Sequence, residues 1–423
     1  MSTARKPQTA AVKQFRGPQR ERHEPDYLLL VSVVALAAIG ILMVYSSSGV
    51  VWMLAEDDAF AIVGPQAFWG VLGALVMVVF MRLDYRYLRF VSVTGYLTAL
   101  VLLVLVLLPS IGPIEPITEG GSRRWLEIGS LPRMHPAEFA KLALLIYLAH
   151  WLARKGKASG SLTQGFVPFL LLTLPVLGLV LLEPDLGTMG VLALMSFTVF
   201  FVAGGSILQL GAIVPIVLAG LAYAVTNSDY QMARVKAFLD PWSDPQGIGF
   251  HTVQSLLAIG SGGLFGIGLG ESRQPGELHL PNAQNDFVFA VVAQEFGFLG
   301  AAALIGLYVL FAYRGVRVAL SAPDTFGALL ATGITAWLTF QAFINIGVVV
   351  VLLPITGITL PFVSAGGSSL LVSFAAVGIL LSISRETLPS AAWNNADSDR
   401  RRWHRRPRLS RPGRRAVPAR AGT

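Results

Sequence analysis

The sequence predicts an all-α integral membrane protein of about ten transmembrane helices, with a large extracytoplasmic loop between helices 7 and 8. The chain of 423 residues is 54% hydrophobic and only 13% charged, whereas soluble proteins carry roughly twice that charged fraction. Its apolar residues fall in runs of about 20, the length that crosses a bilayer core of roughly 30 Å. Lysine and arginine concentrate in alternate short loops, as the positive-inside rule requires of a multi-pass protein.

Ten apolar segments can be assigned along the chain, and an even number of spans leaves both termini on one side of the membrane. The segments cover approximately residues 28–50, 60–81, 89–109, 137–153, 166–183, 187–204, 208–225, 287–313, 326–350 and 360–383. Positively charged loops follow the second, fourth and eighth segments, which predicts that both basic termini are cytoplasmic. We therefore expect a cytoplasmic tail over 1–26, a ten-helix domain over 27–384 in the cytoplasmic membrane, and an arginine-rich cytoplasmic tail over 385–423.

The C-terminal tail carries eleven arginines, a composition typical of disordered segments that lie on anionic lipid headgroups. Because no nucleic-acid-binding fold accompanies this charge, we expect no nucleic-acid partner. The chain contains no cysteine, which excludes disulfides, zinc–thiolate sites and cysteine nucleophiles. The six histidines are scattered along the sequence and form no metal-binding pair, so no metal site is predicted.

Seven lysines and arginines lie in or beside the predicted outer loops 110–136 and 226–286, against the positive-inside bias. They are Arg123, Arg124, Arg133, Lys141, Arg234, Lys236 and Arg273. Each one alone could pair with a neighbouring acid such as Glu127 or Asp240. The seven together favour a different explanation, in which anionic ligands bind at the outer face.

Asp286 ends the long loop 226–286 and immediately precedes an apolar helix. Aspartate is a favoured helix N-cap, and a carboxylate surrounded by cations would also be ionised at neutral pH and able to accept a proton. The two roles are compatible. The glycine-rich run 254–272 within this loop has no strand before it and no GK[ST] after it, so it does not predict a nucleotide site; we interpret it as close-packed backbone beside a ligand groove.

Further polar clusters mark the predicted membrane boundaries. Arg124 and Trp125 combine a cation with an interfacial aromatic ring, and Glu138 and Lys141 lie three residues apart on one helix face. That pair is equally compatible with a structural and a functional role. Asp185, in an acidic turn between two spans, is compatible with a helix cap, a contact to a ligand amide, or an ion pair with an outer arginine.

The segment 345–371 interrupts two apolar spans with prolines and glycines. Irregular backbone at membrane depth persists only where protein or a cavity satisfies its polar groups. Ser364, Ser368 and Ser369 could satisfy them locally, but we favour the alternative that this segment forms the wall of a polar cavity.

The motifs GSRRW (121–125), PAEFAKLALLIYLA (136–149), EPDLGT (183–188), QSLLAIGSGG (254–263), LPNAQNDFVFAVVAQEFG (280–297) and LPFVSAGGSSLL (360–371) stand in this order along the chain. With this order and spacing, the sequence resembles the SEDS (shape, elongation, division and sporulation) family of peptidoglycan polymerases over about residues 28–384. The resemblance implies ten transmembrane helices with a large outer loop between the seventh and eighth. It also implies that Asp286 matches the essential aspartate of the family.

The reaction implied by the resemblance polymerises lipid II into glycan strands and releases undecaprenyl pyrophosphate. Asp286 is the expected base that activates the attacking sugar hydroxyl. A pyrophosphate leaving group needs charge neutralisation rather than protonation, and the expected cations for it are Arg124, Lys141, Arg234 and Arg273. A divalent cation such as Mg²⁺ would suit the same leaving group, but the sequence defines no ligand set for one.

The resemblance implies further substrate contacts and a partner. The other residues expected to contact the substrate are Trp125, Glu138, Asp185, Gln254, Ser255, Ser364 and Ser368. The expected partner is a class B penicillin-binding transpeptidase, together with other membrane proteins of the division or elongation machinery. The GSRRWL motif and the basic tail are more similar to the FtsW (septal division) branch than to the RodA (elongation) branch.

The sequence departs from the family pattern at several motif positions. Asn282 stands in place of a Glu, Asn285 of a Thr, Ala137 of a Ser, Pro275 of a Lys and Ala365 of a Tyr. The alternative from another class is a lipid II flippase or transporter, which would place polar residues near the membrane midplane.

Overall fold

The computed structural model describes residues 24–47, 60–110, 112–119, 122–129, 132–273 and 283–386, and these form twelve α-helices and one β-hairpin. The helices are α1 (Tyr27–Ser47), α2 (Phe60–Arg82), α3 (Leu88–Leu107), α4 (Pro136–Lys155), α5 (Val167–Leu182), α6 (Leu186–Val202), α7 (Ile207–Thr226), α8 (Asp229–Leu239), α9 (Phe250–Gly262), α10 (Val288–Ser321), α11 (Thr325–Val349) and α12 (Gly367–Ser384). The hairpin pairs β1 (Ile114–Glu119) with β2 (Ser122–Ile128).

The ten predicted apolar segments coincide with ten of these helices, α1 to α7 and α10 to α12. Seven of the ten are long and apolar enough to cross a membrane, namely α1, most of α2, α3, α5, α10, α11 and α12. Helix α6 is apolar but has only 17 residues, and α4 carries Glu138 and Lys141 in its first two turns. The predicted class, an all-α multi-pass membrane protein, is confirmed for the described part of the chain.

Helices α11 and α12 form the centre of the bundle, and α12 packs along the length of α2. In the most apolar stretch of 18 residues in α12, 83% of the stretch is buried inside the protein, compared with 17–39% of the corresponding stretches in α1, α2 and α3. A helix that is apolar on all sides suits such a central position, because it has no face that requires water. The outer helices instead expose apolar side chains, as lipid-facing helices do.

One end of the bundle is held together by ion pairs that join distant parts of the chain. Asp26, which precedes α1, accepts from Nε of Arg314 near the end of α10 at 2.9 Å. Nε of Arg86, between α2 and α3, lies 3.1 Å from Oδ2 of Asp324 at the start of α11. The backbone N–H of Asp26 also donates to Oγ of Ser384, the last residue of α12. The start of α1 and the end of α12 therefore lie at the same end of the bundle, which we call the terminal end.

The opposite end, which we call the loop end, contains the hairpin and the two short helices α8 and α9. A hairpin was not among the sequence predictions. Its strands do not alternate clearly between apolar and polar residues, and β1 contains Pro116. The β2 strand is continued by a bridge in which Leu126 and Met134 exchange both backbone hydrogen bonds. This bridge fixes the hairpin above the N-terminus of α4.

The glycine-rich run packs on a break in α10. Gly297 has a left-handed backbone (φ 67°) inside this helix, so neighbouring N–H and C=O groups lose their helical partners. The backbone N–H groups of Ile267 and Gly268 donate to the carbonyls of Gln294 and Glu295, and Phe298 N–H donates to Gly263 O. The prediction of close-packed backbone is confirmed. This run does not line the cavity described below, and the neighbouring ligand groove stays a prediction.

Candidate active site

A polar cavity of about 490 Å³ opens at the loop end of the bundle. It is enclosed by the starts of α2, α4 and α6, strand β2, helix α8, the turn before α10 and the broken segment before α12. Its walls consist of Pro65, Gln66, Trp69, Arg124, Trp125, His135, Glu138, Thr188, Tyr230, Arg234, Asn285, Asp286, Gly357, Ile358, Thr359, Ala365, Gly366, Gly367 and Ser369. The sequence prediction that segment 345–371 forms a cavity wall is confirmed.

Asp286 is held by its backbone rather than by a helix cap. The side-chain amide of Asn345, in α11, donates to the carbonyl oxygens of both Asp286 and Ile358 at 2.8 Å. One turn position earlier, Asn285 O accepts from Oγ of Ser364 at 2.5 Å. The predicted N-cap role of Asp286 is wrong, because Phe287 occupies the N-cap position of α10 and makes no side-chain cap hydrogen bond. The carboxylate is therefore available to the cavity.

Two arginines flank this carboxylate from different elements. Nη2 of Arg124, in β2, donates to Pro184 O at 2.9 Å, and the side chain is only 9% exposed. Nη1 of Arg234, in α8, donates to Ile355 O at 3.2 Å, while its guanidinium stacks on the ring of Tyr230 with Cζ 4.4 Å from the ring centre. Each arginine keeps further N–H groups that these bonds do not use.

Gly357 marks the point where the three charges converge. A Cβ added at this glycine would lie 3.3 Å from Nη1 of Arg124 and 3.6 Å from Oδ2 of Asp286. It would lie 3.9 Å from Nη2 of Arg234. The backbone of Gly357 is left-handed (φ 72°), a conformation in which glycine is favoured. The absent side chain therefore leaves the space between the carboxylate and the two guanidinium groups open.

The electrostatics of Asp286 suit a proton acceptor. Burial raises the pKa of Asp286 to about 6, and Asp185 acts in the same direction, whereas Arg124 and Arg234 act to lower it. At pH 7 the group is therefore mostly ionised, yet its pKa lies close to the working range of a general base. A more exposed aspartate, with its ordinary pKa near 4, would be a weaker base.

Behind Arg124, the turn between α5 and α6 adds two buried acids. Asp185 is 1% exposed and accepts from the backbone N–H of Thr188 at 3.0 Å, so its predicted role as the cap of α6 is confirmed. Burial favours its neutral form, but Arg124, His135 and the Thr188 hydrogen bond together lower its pKa. Burial and the neighbouring Asp185 raise the pKa of Glu183 to about 9, with Arg124 acting against them. Glu183 is thus a neutral acid at pH 7.

The Glu138–Lys141 pair is a buried part of the framework of the site. Lys141 Nζ lies 2.8 Å from Oε1 of Glu138 and donates to Oε1 of Gln341 at 2.7 Å. Its ammonium also lies 5.0 Å from the ring centre of Trp337. Lys141 is 1% exposed and does not line the cavity, so its contact with a pyrophosphate stays a prediction. Glu138 does line the cavity, and the bonds of the pair show its structural role.

Comparisons with known proteins agree with this architecture. A family described as "Cell cycle protein", comprising FtsW, RodA and SpoVE, matches residues 27–388. The chain belongs to this family. The resemblance to SEDS proteins drawn from the sequence motifs is therefore confirmed, and the match covers all ten long helices of the described structure.

Relatives in the family are similar over nearly their whole length. The chain is 40% identical to stage V sporulation protein E of Bacillus subtilis over 86% of this chain and 98% of that protein. It is 43% identical to a probable peptidoglycan glycosyltransferase FtsW of Thioalkalivibrio sulfidiphilus over 86% of this chain and 90% of that protein. Among solved structures, a chain of a peptidoglycan synthase complex superposes with a TM-score of 0.68 at 33% identity, covering 85% and 98% of the two chains. Thermus thermophilus RodA superposes with a TM-score of 0.62 at 31% identity, covering 86% and 98%.

Several residues predicted from the family motifs lie outside the cavity. Ser255 donates to Val349 O at 2.7 Å and is completely buried, and Gln254 is buried beside it in α9. Ser364 binds backbone groups, as described above, and Ser368 accepts from His135 N–H at 3.2 Å. The three serines are engaged with backbone groups and none of these four residues lines the cavity, so their substrate contacts stay predictions.

Other predictions have a mixed outcome. Trp125 lines the cavity as predicted, whereas Asp185 lies behind it. Arg133 pairs with Glu127 at 3.6 Å, so an anionic ligand is not needed to explain this cation. Three positions fall outside the described residues: the side chain of Arg273, and Pro275 and Asn282. The departures at Asn285 and Ala365 lie in the cavity wall.

The sequence analysis missed several cavity residues of this family member. They are His135, Thr188, Tyr230, Thr359, and Gln66 with Trp69. A polar side chain within an apolar span indicates function, and Gln66 in α2 carries that signal. No local signal separates the others from ordinary boundary residues.

The cavity does not fit a protein-held divalent cation. Within the described residues no group of three or more histidines, aspartates and glutamates is placed to ligate a metal. The carboxylates of the site are instead separated by Arg124 and Lys141. We therefore derive no chemical step through a metal ion.

Substitution of Gly357 tests the convergence of the three charges. We expect Gly357→Ala to weaken binding of inorganic pyrophosphate by about 10-fold or more, because the methyl group occupies the space between the charges and a left-handed alanine costs roughly 1 kcal/mol. Calorimetry on the purified protein measures the affinity. Gly306→Ala, at a helical glycine with open space around it, is the matched control. Unchanged pyrophosphate affinity in Gly357→Ala would contradict this geometry.

Proposed function

We propose that this protein is a peptidoglycan glycosyltransferase that polymerises lipid II into glycan strands at the outer face of the cytoplasmic membrane. The observation that carries the proposal is the position of Asp286, a partly exposed carboxylate with a pKa of about 6, between Arg124 and Arg234 in an open cavity. The relatives named peptidoglycan glycosyltransferases support it. The loop-end location of the cavity supports a reaction at one membrane surface.

The reaction follows from what these groups can do. A sugar hydroxyl of the incoming lipid II attacks the anomeric carbon of the growing strand, and Asp286 takes the hydroxyl proton. The bond between that carbon and the phosphate oxygen breaks, and the electron pair leaves with undecaprenyl pyrophosphate. Because this leaving group is already anionic, Arg124 and Arg234 stabilise it by charge and no second carboxylic acid is required. A glycosidase, by contrast, needs a second carboxyl group to protonate its leaving alkoxide.

The transporter alternative is not favoured. Glu138, Lys141 and Glu295 are the charged residues in the helices that a polar path through the membrane could use. Glu138 and Lys141 pair at the loop end, as described above. Glu295 accepts from Oγ of Ser46 at 2.5 Å and also from Ser272. These contacts support a packing role for Glu295 rather than a polar path through the membrane.

Removal of the Asp286 carboxylate tests the catalytic assignment. We expect Asp286→Ala to lower glycan polymerisation from labelled lipid II by at least about 100-fold, because no other cavity carboxylate is free of a cation or a cap. The assay is run on the purified protein alone and with a class B penicillin-binding transpeptidase, the partner we propose because a related chain belongs to a peptidoglycan synthase complex. Glycan products are separated by size.

The pH dependence of the same assay gives an independent readout. Since Asp286 must be ionised to accept a proton, the wild-type rate should fall as the pH decreases through about 6. Equal polymerisation by wild type and by a folded Asp286→Ala protein would reassign the base. Glu183→Gln, which preserves a neutral side chain at the buried turn, serves as the control that keeps activity.

We propose that both termini are cytoplasmic and that the cavity faces outward. The positive-inside pattern supports this orientation, as does the position of the start of α1 and the end of α12 at the end opposite the cavity. Because the chain has no cysteine, single cysteines report topology without background. In intact cells, a membrane-impermeant maleimide should label Ser243→Cys in the outer loop and leave Ser161→Cys unlabelled. The reverse labelling would overturn the orientation.

Within the family, we propose a role in septal wall synthesis. The GSRRWL motif, the basic tail and the relatives named FtsW support division over elongation. Depletion of the protein in its own organism should give undivided filaments. Rounded cells that continue to divide would instead indicate the RodA-like role in elongation.

A further inference from the structure

His135 is the one histidine among the cavity residues of the described structure. It stands at the N-cap position of α4, directly before Pro136, and its side chain is 13% exposed. The ring meets the indole of Trp125 edge-to-face, with ring centres 5.3 Å apart. Neither the fold nor the base assignment of Asp286 explains why a titratable ring occupies this wall.

The ring nitrogens of His135 are incompletely satisfied. Nε2 lies 3.7 Å from Oδ2 of Asp185, a distance at which an ion pair forms only if the ring is protonated. Nδ1 is buried and has no hydrogen-bond partner among the described residues. A ring with one open nitrogen and one neighbouring carboxylate can accept a proton without rearrangement of the wall.

The charges that face His135 nearly balance. Burial lowers its pKa, while Asp185 and Glu138 act to raise it and Arg124 and Lys141 act to lower it. The net direction is downward, so the ring is neutral in the ligand-free protein at neutral pH. An anion that entered the cavity would add negative charge near the ring and favour the imidazolium form.

We propose that His135 takes up a proton when a diphosphate group binds in the cavity, and that it then acts as a third cation beside Arg124 and Arg234. The proposal rests on the proposed function, which supplies the diphosphate. The proton comes from the solvent and returns to it when the diphosphate leaves, so no bond other than N–H forms or breaks. By thermodynamic linkage, diphosphate affinity rises as the pH falls through the pKa of the ring in the complex.

This role fits the turnover of the proposed reaction. A permanent third cation would hold the released diphosphate too tightly, because each charge-assisted hydrogen bond adds to affinity. A ring that is neutral in the empty cavity strengthens binding only while the anion is present. His135 is therefore a binding residue for the leaving group, distinct from the base Asp286.

Calorimetry with farnesyl diphosphate tests the proposal on the full-length protein in detergent. Titrations near pH 7.5 in two buffers of different ionisation enthalpy give the number of protons bound with the ligand. The diphosphate itself exchanges the same number of protons with every variant, so this contribution cancels when variants are compared. Beyond it, we expect uptake of roughly half a proton by wild type and near zero by His135→Gln. We expect His135→Gln to bind several-fold more weakly at pH 6.5 and to lose most of the pH dependence of affinity.

Two matched variants identify the proton acceptor. His150→Gln, at the other end of α4, should behave as wild type. Asp286→Asn should keep the uptake, because it removes the other cavity group that titrates near neutrality. Uptake that persists in His135→Gln, or that disappears in Asp286→Asn, would overturn the proposal.

A further variant covers the case in which His135→Gln does not fold. Asp185→Asn keeps an acceptor for the backbone N–H of Thr188 but removes the negative charge beside the ring. Proton uptake on diphosphate binding should therefore occur at lower pH than in wild type. Proton uptake at an unchanged pH would overturn the proposal. If wild type polymerises lipid II but binds farnesyl diphosphate without proton uptake, or does not bind it, this inference fails and the proposed function stands. If wild type does not polymerise lipid II, the proposed function fails independently.

Discussion

The site depends on one hydrogen-bonded junction, in which the Asn345 side chain joins the backbone of Asp286 to the backbone of Ile358. Both segments are irregular at this point, so their carbonyl groups have no helical partners, and an unsatisfied polar group at membrane depth is costly. One amide on the rigid helix α11 satisfies both. The hydroxyl of Ser364 joins the same two segments one residue away, because it donates to Asn285 O and accepts from the backbone N–H of Leu360. Asp286 is therefore fixed through its main chain, and its side chain lines the cavity.

The carboxylate of Asp286 is half-buried in the cavity wall and stays both ionised and basic at neutral pH. Burial acts to raise the pKa of Asp286, and the two adjacent guanidinium groups act to lower it. Because these two effects oppose each other, the pKa of Asp286 lies at about 6. The arginines are held in turn by carbonyls, Pro184 O for Arg124 and Ile355 O for Arg234. Because carbonyls do not neutralise the arginines, their charge stays available to an anionic ligand.

The framework around the cavity uses charged residues that do not line it. Lys141 donates to Glu138 and Gln341 and lies over the face of Trp337. At the terminal end, the ion pairs Arg86–Asp324 and Arg314–Asp26 join distant parts of the chain. The Lys141–Glu138 pair is buried, whereas the Arg86–Asp324 and Arg314–Asp26 pairs are partly exposed. These contacts account for several of the few charges in this membrane domain.

The sequence by itself determined the membrane class, the ten apolar segments, the long outer loop and the choice of Asp286, because hydropathy, charge asymmetry and motif order are properties of the chain read locally. It could not separate Arg124 from Lys141, or His135 from the five other histidines, since each is one polar residue near a membrane boundary. Only the tertiary structure decided which of them face the cavity. The cavity is formed by parts distant in the chain, namely the hairpin, the start of α4, helix α8 and the turn at Gly357. Whether a residue lines the cavity therefore depends on how these parts pack together.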